Sequence, residues 1–393
     1  MSQLLNERWS ETKDALLEGL SGTRKSSMSV CLENTRRYLA ESATTGATSS
    51  GNIATLNRVI LPVIRRVMPT VIANEIIGVQ PMTGPVGQIH TLRVRYADTS
   101  SGDSVVAGDE ALSPFKIAAA YSGNNVDGTP KAQTTAVLEG QPGKRMSIQI
   151  LKAPVEAKSR KLSARWTFEA AQDAQAQQGI DIEAEIMAAL AQEITAEIDQ
   201  EILASLRALA SVEQTYDQSL VSGTATFVGD EHAALAIQIN RVANLIAQRT
   251  RRGAANWAVV SNQALTILQS ATTSAFARTT EGTFEAPTNT KFVGTLNGAM
   301  RIYVDAYKSD TDDNNQVLIG YKGTSEADAA AFYCPYIPLM SSGVVLDPAT
   351  FEPVVGFLTR YGYVELSNTA SSLGNAADYL GKVAITSANV SFK

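Results

Sequence analysis

The sequence predicts an α+β protein, and three observations carry that prediction. Strand-like and helix-like stretches mix along the chain without regular βαβ alternation, which argues against a doubly wound sheet. One long helix is expected at about residues 180–210, where isoleucine or leucine recurs every fourth residue. The C-terminal stretches AAFYCPYIPLM, FEPVVGFLTRYGYVEL and KVAITSANVSFK read as strands.

The elements follow in chain order. Residues 1–41 carry helix-like spacing through Leu4, Leu5, Trp9, Leu16, Leu17 and Leu20. ESATTGATSSGN then reads as a Ser/Thr/Gly linker, followed by a helical arm interrupted by Pro62 and Pro69. A turn with two prolines and three glycines, VQPMTGPVG with Gly78 before it, feeds the alternating strand QIHTLRVRY. Residues 98–145 are rich in Gly, Ser, Asp and Thr and have little to bury. So long a weakly apolar excursion is expected to serve a function or to pack on a partner.

Strand-like alternation from Met146 leads into the long helix. Its apolar positions Ile182, Ile186, Leu190, Ile194, Ile198, Ile202 and Leu206 step by four. The stripe therefore turns by about 240° over its length, too far for one flat partner. A spine touching several elements is expected. Beyond it, EHAALAIQINRVANLIAQRTRR reads as an amphipathic helix, NWAVVSN as a buried strand and QALTILQSA as a helix behind it. GAMRIYVDAY and QVLIGYKG read as two strands joined by the turn KSDTDDNN, a hairpin with a solvated tip.

Bulk properties narrow the function classes. The 393 residues suffice for two or three domains or one extended fold. A net charge of -6 and a pI near 5.2 argue against a general nucleic-acid binder. No window approaches the ~18 apolar residues that span a bilayer, and MSQLLNERWSETKD lacks the pattern of a secretion signal. Cys31 and Cys334 read as two reduced thiols of a cytoplasmic protein.

Catalytic chemistry is poorly supplied. His90 and His232 are the only histidines, placed in a strand and at a helix start, and both read as structural. No phosphate-cradling G-x-x-x-x-G-K-[ST] occurs. The turn from Asp310 fails as a calcium loop, because Asn315 and Tyr321 occupy the positions that need glycine and glutamate. Glu193, Glu197 and Glu201 line one helix face, but a di-iron site would also need Glu-x-x-His. No catalytic, metal or cofactor site is expected.

A charge pattern remains. Lys144, Arg145, Lys152, Lys158, Arg160, Lys161 and Arg165, against Glu156 alone, give +6. The following stretch, Glu169 to Glu201, holds nine acidic residues and no basic ones, giving -9. Such blocks can pair within one chain or between identical subunits, where complementary fields fix register. The long excursion before the basic block favours the second arrangement.

The stretch LPVIRRVMPTVIANEIIGVQPMTGPVGQI closely resembles the hinge of the major capsid proteins of T-even-like tailed phages. EAKSRKLSARWTFEAAQDAQAQQGIDIEAEIMAALAQEI is similar to that family's E-A-K-S-R motif and spine helix. IGYKGTSEADAAAFYCPYIPL and FEPVVGFLTRYGYV are similar to its closing strands. The resemblance implies a Hong Kong 97-type capsid fold without enzymatic activity. It divides the chain into an N-terminal helical segment (1–41), arm and hinge (42–89), extended loop (90–155) and peripheral domain with spine helix (156–229). An axial domain (230–345) and a return to the peripheral domain (346–393) complete it.

The implied function is self-assembly into hexamers and pentamers of a tailed-phage head, formed in the bacterial host cytoplasm. Portal, scaffold, prohead protease and vertex or decoration proteins are the implied partners, with packaged double-stranded DNA held without sequence-specific binding. An encapsulin-like compartment shell is the alternative on the same fold. The resemblance further implies cleavage after a Leu/Ile-x-Glu signal, which LAE at Leu39–Glu41 fits, leaving Ser42 as the new terminus. Expected subunit contacts are Arg65, Arg66, the seven basic residues above, Glu183, Glu193, Glu197 and Glu201. The chain is short for the family, and residues 98–145 leave no room for the folded insertion that some members carry.

Overall fold

The computed structural model describes residues 9–10, 13–18, 20, 22–44, 71–100, 105–109, 111, 121–123, 132–140, 142–178, 181–217, 228–250, 252–271, 276–278, 291–305, 316–324, 328–350, 352–366 and 376–387. Among these the expected mixture of helix and strand is present. Residues 9–10 and 13–17 are helical, and helix α1 (Gly22–Thr44) follows, then the short α2 (Ala73–Ile76) and the two-residue strand β1 (Gly78–Val79). The long strands β2 (Val86–Tyr96) and β3 (Met146–Glu156) flank the short α3 (Thr135–Leu138). Strand β4 (Lys158–Arg165) and helix α4 (Phe168–Gln178) lead into the spine, α5 (Ile182–Leu209).

The remainder runs β5 (Val212–Asp217), α6 (Val228–Thr250), β6 (Trp257–Val260), α7 (Asn262–Ser270), β7 (Phe276–Arg278), β8 (Lys291–Leu296) and β9 (Met300–Val304). Strands β10 (Gln316–Gly320), β11 (Ala331–Leu346), β12 (Pro353–Glu365) and β13 (Leu380–Ser387) close it, with a 3-10 turn (Ala376–Tyr379) before the last.

Three sheets form among the described residues. One is four-stranded in the order β1-β11-β12-β4, one seven-stranded in the order β5-β13-β10-β6-β9-β8-β7, and one pairs β2 with β3. The long helix begins where Asp181 accepts a hydrogen bond from the Glu183 N–H at 3.1 Å. Glu183 and Glu185 in its first turn and Arg207 in its last match the helix dipole. Its stripe sinks progressively: Ile182 and Ile186 are half-buried, while Ile194, Ile198, Ile202 and Leu206 are inaccessible. The turning stripe is covered as expected by several elements, with β4, β12 and β13 packing along it.

This main core also takes Met28, Cys31 and Leu32 of α1, Val71–Ala73 and Ile76–Ile77 before the hinge, and Phe357 and Tyr361 of β12. Trp257, Leu318 and Leu380 enter it from the seven-stranded sheet. On the other face of that sheet, α6 and α7 bury Ile239, Val242, Ile246 and Ile267 against Ala258, Val260, Ile319 and Val383.

One expected pairing is different. The two strands at 300–304 and 316–320 do not form a hairpin, because β6 lies between them, parallel to β9 and antiparallel to β10. All four residues of β6 are buried, so Trp-Ala-Val-Val takes the central position that apolar runs prefer. The expected hairpin tip falls in residues 306–315, outside the described residues. The hairpin of this region joins β8 to β9 instead, through Asn297 (φ 53°) and Gly298 (φ 70°), the left-handed pair that a tight two-residue turn requires.

Candidate assembly surface

The hinge is held at both ends by backbone hydrogen bonds. After β1 pairs with Phe332 and Tyr333 of β11, the ladder continues: Gln80 N–H donates to the Tyr333 carbonyl and Met82 N–H to that of Pro335, each at 3.0 Å. Ala157 N–H donates to the Pro85 carbonyl at 2.9 Å and closes the root of the β2–β3 ribbon. Proline suits both flanking positions because it has no N–H to place in these ladders. Met82 is buried between, packed with Val155, Phe332 and Cys334. Gly362 approaches so closely that a Cβ there would strike the Val155 methyl and sit 3.2 Å from the Glu156 carbonyl.

From this root β2 and β3 pair over eleven residues, Val86 opposite Glu156 through Tyr96 opposite Met146. At ~3.4 Å per residue the ribbon extends about 35 Å. One face carries Met146, Ile148 and Ile150, which remain 52%, 68% and 60% exposed. Val94 lies opposite Ile148, so the register places an apolar residue of each strand on one side.

The tip holds more than its composition suggests. Tyr96, Val105, Ala111 and Tyr121 form a small buried cluster, with the two tyrosine rings 4.5 Å apart. The Tyr121 hydroxyl donates to the Arg145 carbonyl at 2.6 Å. Asp98 accepts from the Arg145 N–H at 2.7 Å and from its guanidinium at 3.2 Å, and these bonds lower the Asp98 pKa. Among the described residues of 98–145 the buried apolar side chains are Val105, Ala111 and Tyr121, and with Tyr96 and the Asp98–Arg145 ion pair they stitch the ends of the excursion together.

The charge blocks meet within the chain at one place. Arg160 of β4 donates to Glu197 at 2.7 Å and to Glu201 at 2.5 Å on the exposed flank of α5, and to the Tyr361 hydroxyl at 2.6 Å. Tyr361 in turn bonds Glu201. Burial disfavours the Arg160 charge, but the bonds to Glu201 and Tyr361 outweigh it and raise its pKa. Burial likewise opposes ionisation of Glu201, yet the bonds from Arg160 and Tyr361 leave its pKa lowered.

The other expected contact residues spread over two regions. Lys144, whose ammonium donates to Ser100 at 2.7 Å, and Arg145 sit at the ribbon tip. Lys152 lies midway along the ribbon, exposed opposite His90. Lys158, Lys161 and Arg165 are exposed on β4, the edge strand of the four-stranded sheet, with Arg165 3.8 Å from Glu352. Glu193 is exposed and Glu183 half-buried on α5. Glu41 and Ser42 fall inside α1, which runs on to Thr44 where a linker is expected. Arg65 and Arg66 lie outside the described residues.

Two buried carboxylates escape sequence reasoning. Asp199 sits on the inner side of α5, 1% exposed, accepting from the Ile72 N–H at 2.9 Å with its other oxygen unpartnered. Burial pushes its pKa up to about 7, against the opposing pull of the Ile72 bond. Asp305, fully buried, accepts from Gln200 at 2.8 Å and Arg207 at 2.7 Å. An aspartate inside the apolar stripe of a helix is the one sequence signal that could have found the first.

A long two-stranded ribbon with exposed apolar residues on one face leaves the body from a hydrogen-bonded hinge, beside a charged sheet edge. The comparisons give the family. The model of the Major capsid protein Gp23 matches residues 53–141 and 116–385, and the chain belongs to that family. It is 29% identical to the major capsid protein of Vibrio phage KVP40, over 86% of this chain and 82% of that one. It is 29% identical to that of Enterobacteria phage T4, over 83% and 78%. A solved structure titled the capsid of Myoviridae phage XM1 overlaps 86% of this chain and 99% of its own at 9% identity, with a TM-score of 0.44. The protein is a structural component of a phage capsid, and its location is the virion.

Proposed function

We propose that the chain tiles the head of a tailed phage as hexamers and pentamers of a Hong Kong 97-type lattice. The observation that carries this is the ribbon face Met146, Ile148 and Ile150, which nothing among the described residues of its own chain covers. About 25 cal/mol is gained for each Å² of apolar surface removed from water, so that face is a strong driving element for a neighbour of the same kind. The β4 edge, with Lys158, Lys161 and Arg165, and the acidic flank of α5 are the proposed register-setting contacts, with Lys144, Arg145 and Lys152 on the ribbon. Arg160 serves the fold of its own subunit first.

The arm and hinge (42–89), extended loop (90–155), peripheral segments (156–229, 346–393) and axial domain (230–345) are proposed as the working divisions. Portal, scaffold and prohead protease are proposed partners in assembly within the host cytoplasm, with double-stranded DNA as cargo held without sequence-specific contacts. Cleavage after Glu41 is proposed too, and would require the last turns of α1 to unwind, since a protease cleft takes extended chain.

The decisive experiment is the paired variant Ile148→Asp with Ile150→Asp in the full chain. Sedimentation and electron microscopy should find folded subunits and no shells. Normal particles would refute the reading. Intact mass from DNA-filled particles tests the cleavage, by the presence or loss of residues 1–41.

A further inference from the structure

Helix α1 is bound into the body at three places along its length. Near its start Arg24 pairs with Glu75 of α2, and Glu75 also accepts from Arg301 at 3.0 Å and from the Tyr303 hydroxyl at 3.3 Å on β9. In its middle Met28, Cys31 and Leu32 are buried in the main core, and the Cys31 thiol points at the Pro335 carbonyl at 3.8 Å. Further on, Asn34 is 4% exposed and donates twice, to the Met82 carbonyl at 2.6 Å and to the Tyr336 carbonyl at 3.1 Å.

The last contact joins three elements that are otherwise distant in sequence. Met82 is the hinge residue whose side chain plugs the ribbon root against Val155, and Tyr336 is on β11 immediately beyond the Met82–Pro335 ladder bond. Both carbonyls accept from the one Asn34 amide, in a contact that is buried at Met82 and part-buried at Tyr336. An amide that donates to two carbonyls at once fixes their spacing, and an apolar replacement removes both bonds.

We infer that α1 is an intrachain clasp: through Asn34 it locks the hinge to β11 and so sets the direction in which the ribbon leaves the body. The inference concerns the subunit's internal geometry and stands whether or not shells form. It also assigns a use to the N-terminal segment. While residues 22–36 are seated, the ribbon has one orientation; when they leave, whether by cutting or by unfolding, the hinge gains freedom to turn.

The test uses spin-label distances in the full-length, unassembled chain, with labels at Val106→Cys on the ribbon tip and Ile237→Cys on α6, both exposed. Cys31 and Cys334 are buried free thiols, and only samples of each variant that carry two labels per chain, mapped to positions 106 and 237, enter the comparison. The otherwise wild-type chain should give one narrow distance distribution. Asn34→Ala should broaden it at least twofold. Thr35→Val is the control, because Thr35 is equally buried on the same helix but donates to the Cys31 carbonyl within it at 2.9 Å. It should lower stability and leave the distribution narrow. If Asn34→Ala stays narrow, or if Thr35→Val broadens the distribution as much, Asn34 is an ordinary helix-packing residue and the clasp is refuted.

Discussion

Replacing Asp199 by asparagine should flatten the pH dependence of subunit stability. The carboxyl is buried between the spine helix and the chain entering the hinge, where it accepts the Ile72 N–H and faces Tyr333 and Asp305. Burial pushes its pKa from 3.8 up to about 7. The folded state therefore holds this proton more tightly than the unfolded state, and stability falls as pH rises from about 4 through 7. A shift of about three pH units, at ~1.4 kcal/mol per unit, is about 4 kcal/mol in all, of which roughly 2–3 kcal/mol falls between pH 5 and pH 8. Asparagine is neutral throughout and keeps an acceptor for Ile72. Urea unfolding of unassembled wild type and Asp199→Asn across that range should show a gap in favour of the variant that widens with pH. His232, whose pKa burial lowers, titrates in both proteins and cancels in the difference. Parallel profiles would refute the buried, proton-holding carboxyl.

Other outcomes follow from the same contacts. Gly362→Ala should cost about 1–3 kcal/mol through overpacking at the ribbon root, because its Cβ meets Val155 and the Glu156 carbonyl; a melting temperature equal to wild type would contradict that packing. Charge reversal should separate two roles on β4. Lys161→Glu should leave the isolated subunit's stability within about 0.5 kcal/mol while impairing capsomer formation, measured by sedimentation. Arg160→Glu should lower stability itself by repelling Glu197 and Glu201, an effect that salt screening weakens. Reducing agent should change neither stability nor particle yield, since Cys31 and Cys334 are buried free thiols; shells that dissolve on reduction would contradict this.

Much of the fold was legible because periodicity reports burial directly. The four-residue spacing from Ile182 to Leu206 places a long helix, and the alternation around Val94 and Ile148 places two strands, with no knowledge of what packs on them. The family resemblance was carried by the hinge, spine and closing-strand motifs together. Strand order was not legible. The buried run Trp257–Val260 separates two strands that are consecutive in sequence, and only the competition of whole strands for central positions settles that. The Asn-Gly pair at 297–298 did mark the true hairpin, by a short-range signal that the longer acidic turn obscured.

What the sequence determined alone was therefore local: which segments are helix or strand, and which face of each is apolar. Tertiary structure decided the long-range pairings. Asn34 meets Met82 across 48 positions of chain and Tyr336 across 302, Asp199 meets Ile72 across 127, and Arg160 meets Glu197 across 37. A charge or amide carries no period, so nothing in the one-dimensional pattern says which distant partner satisfies it. The physical reason is that burial makes an unpaired polar group costly, and its partner is chosen by whatever the packed core brings within hydrogen-bond reach.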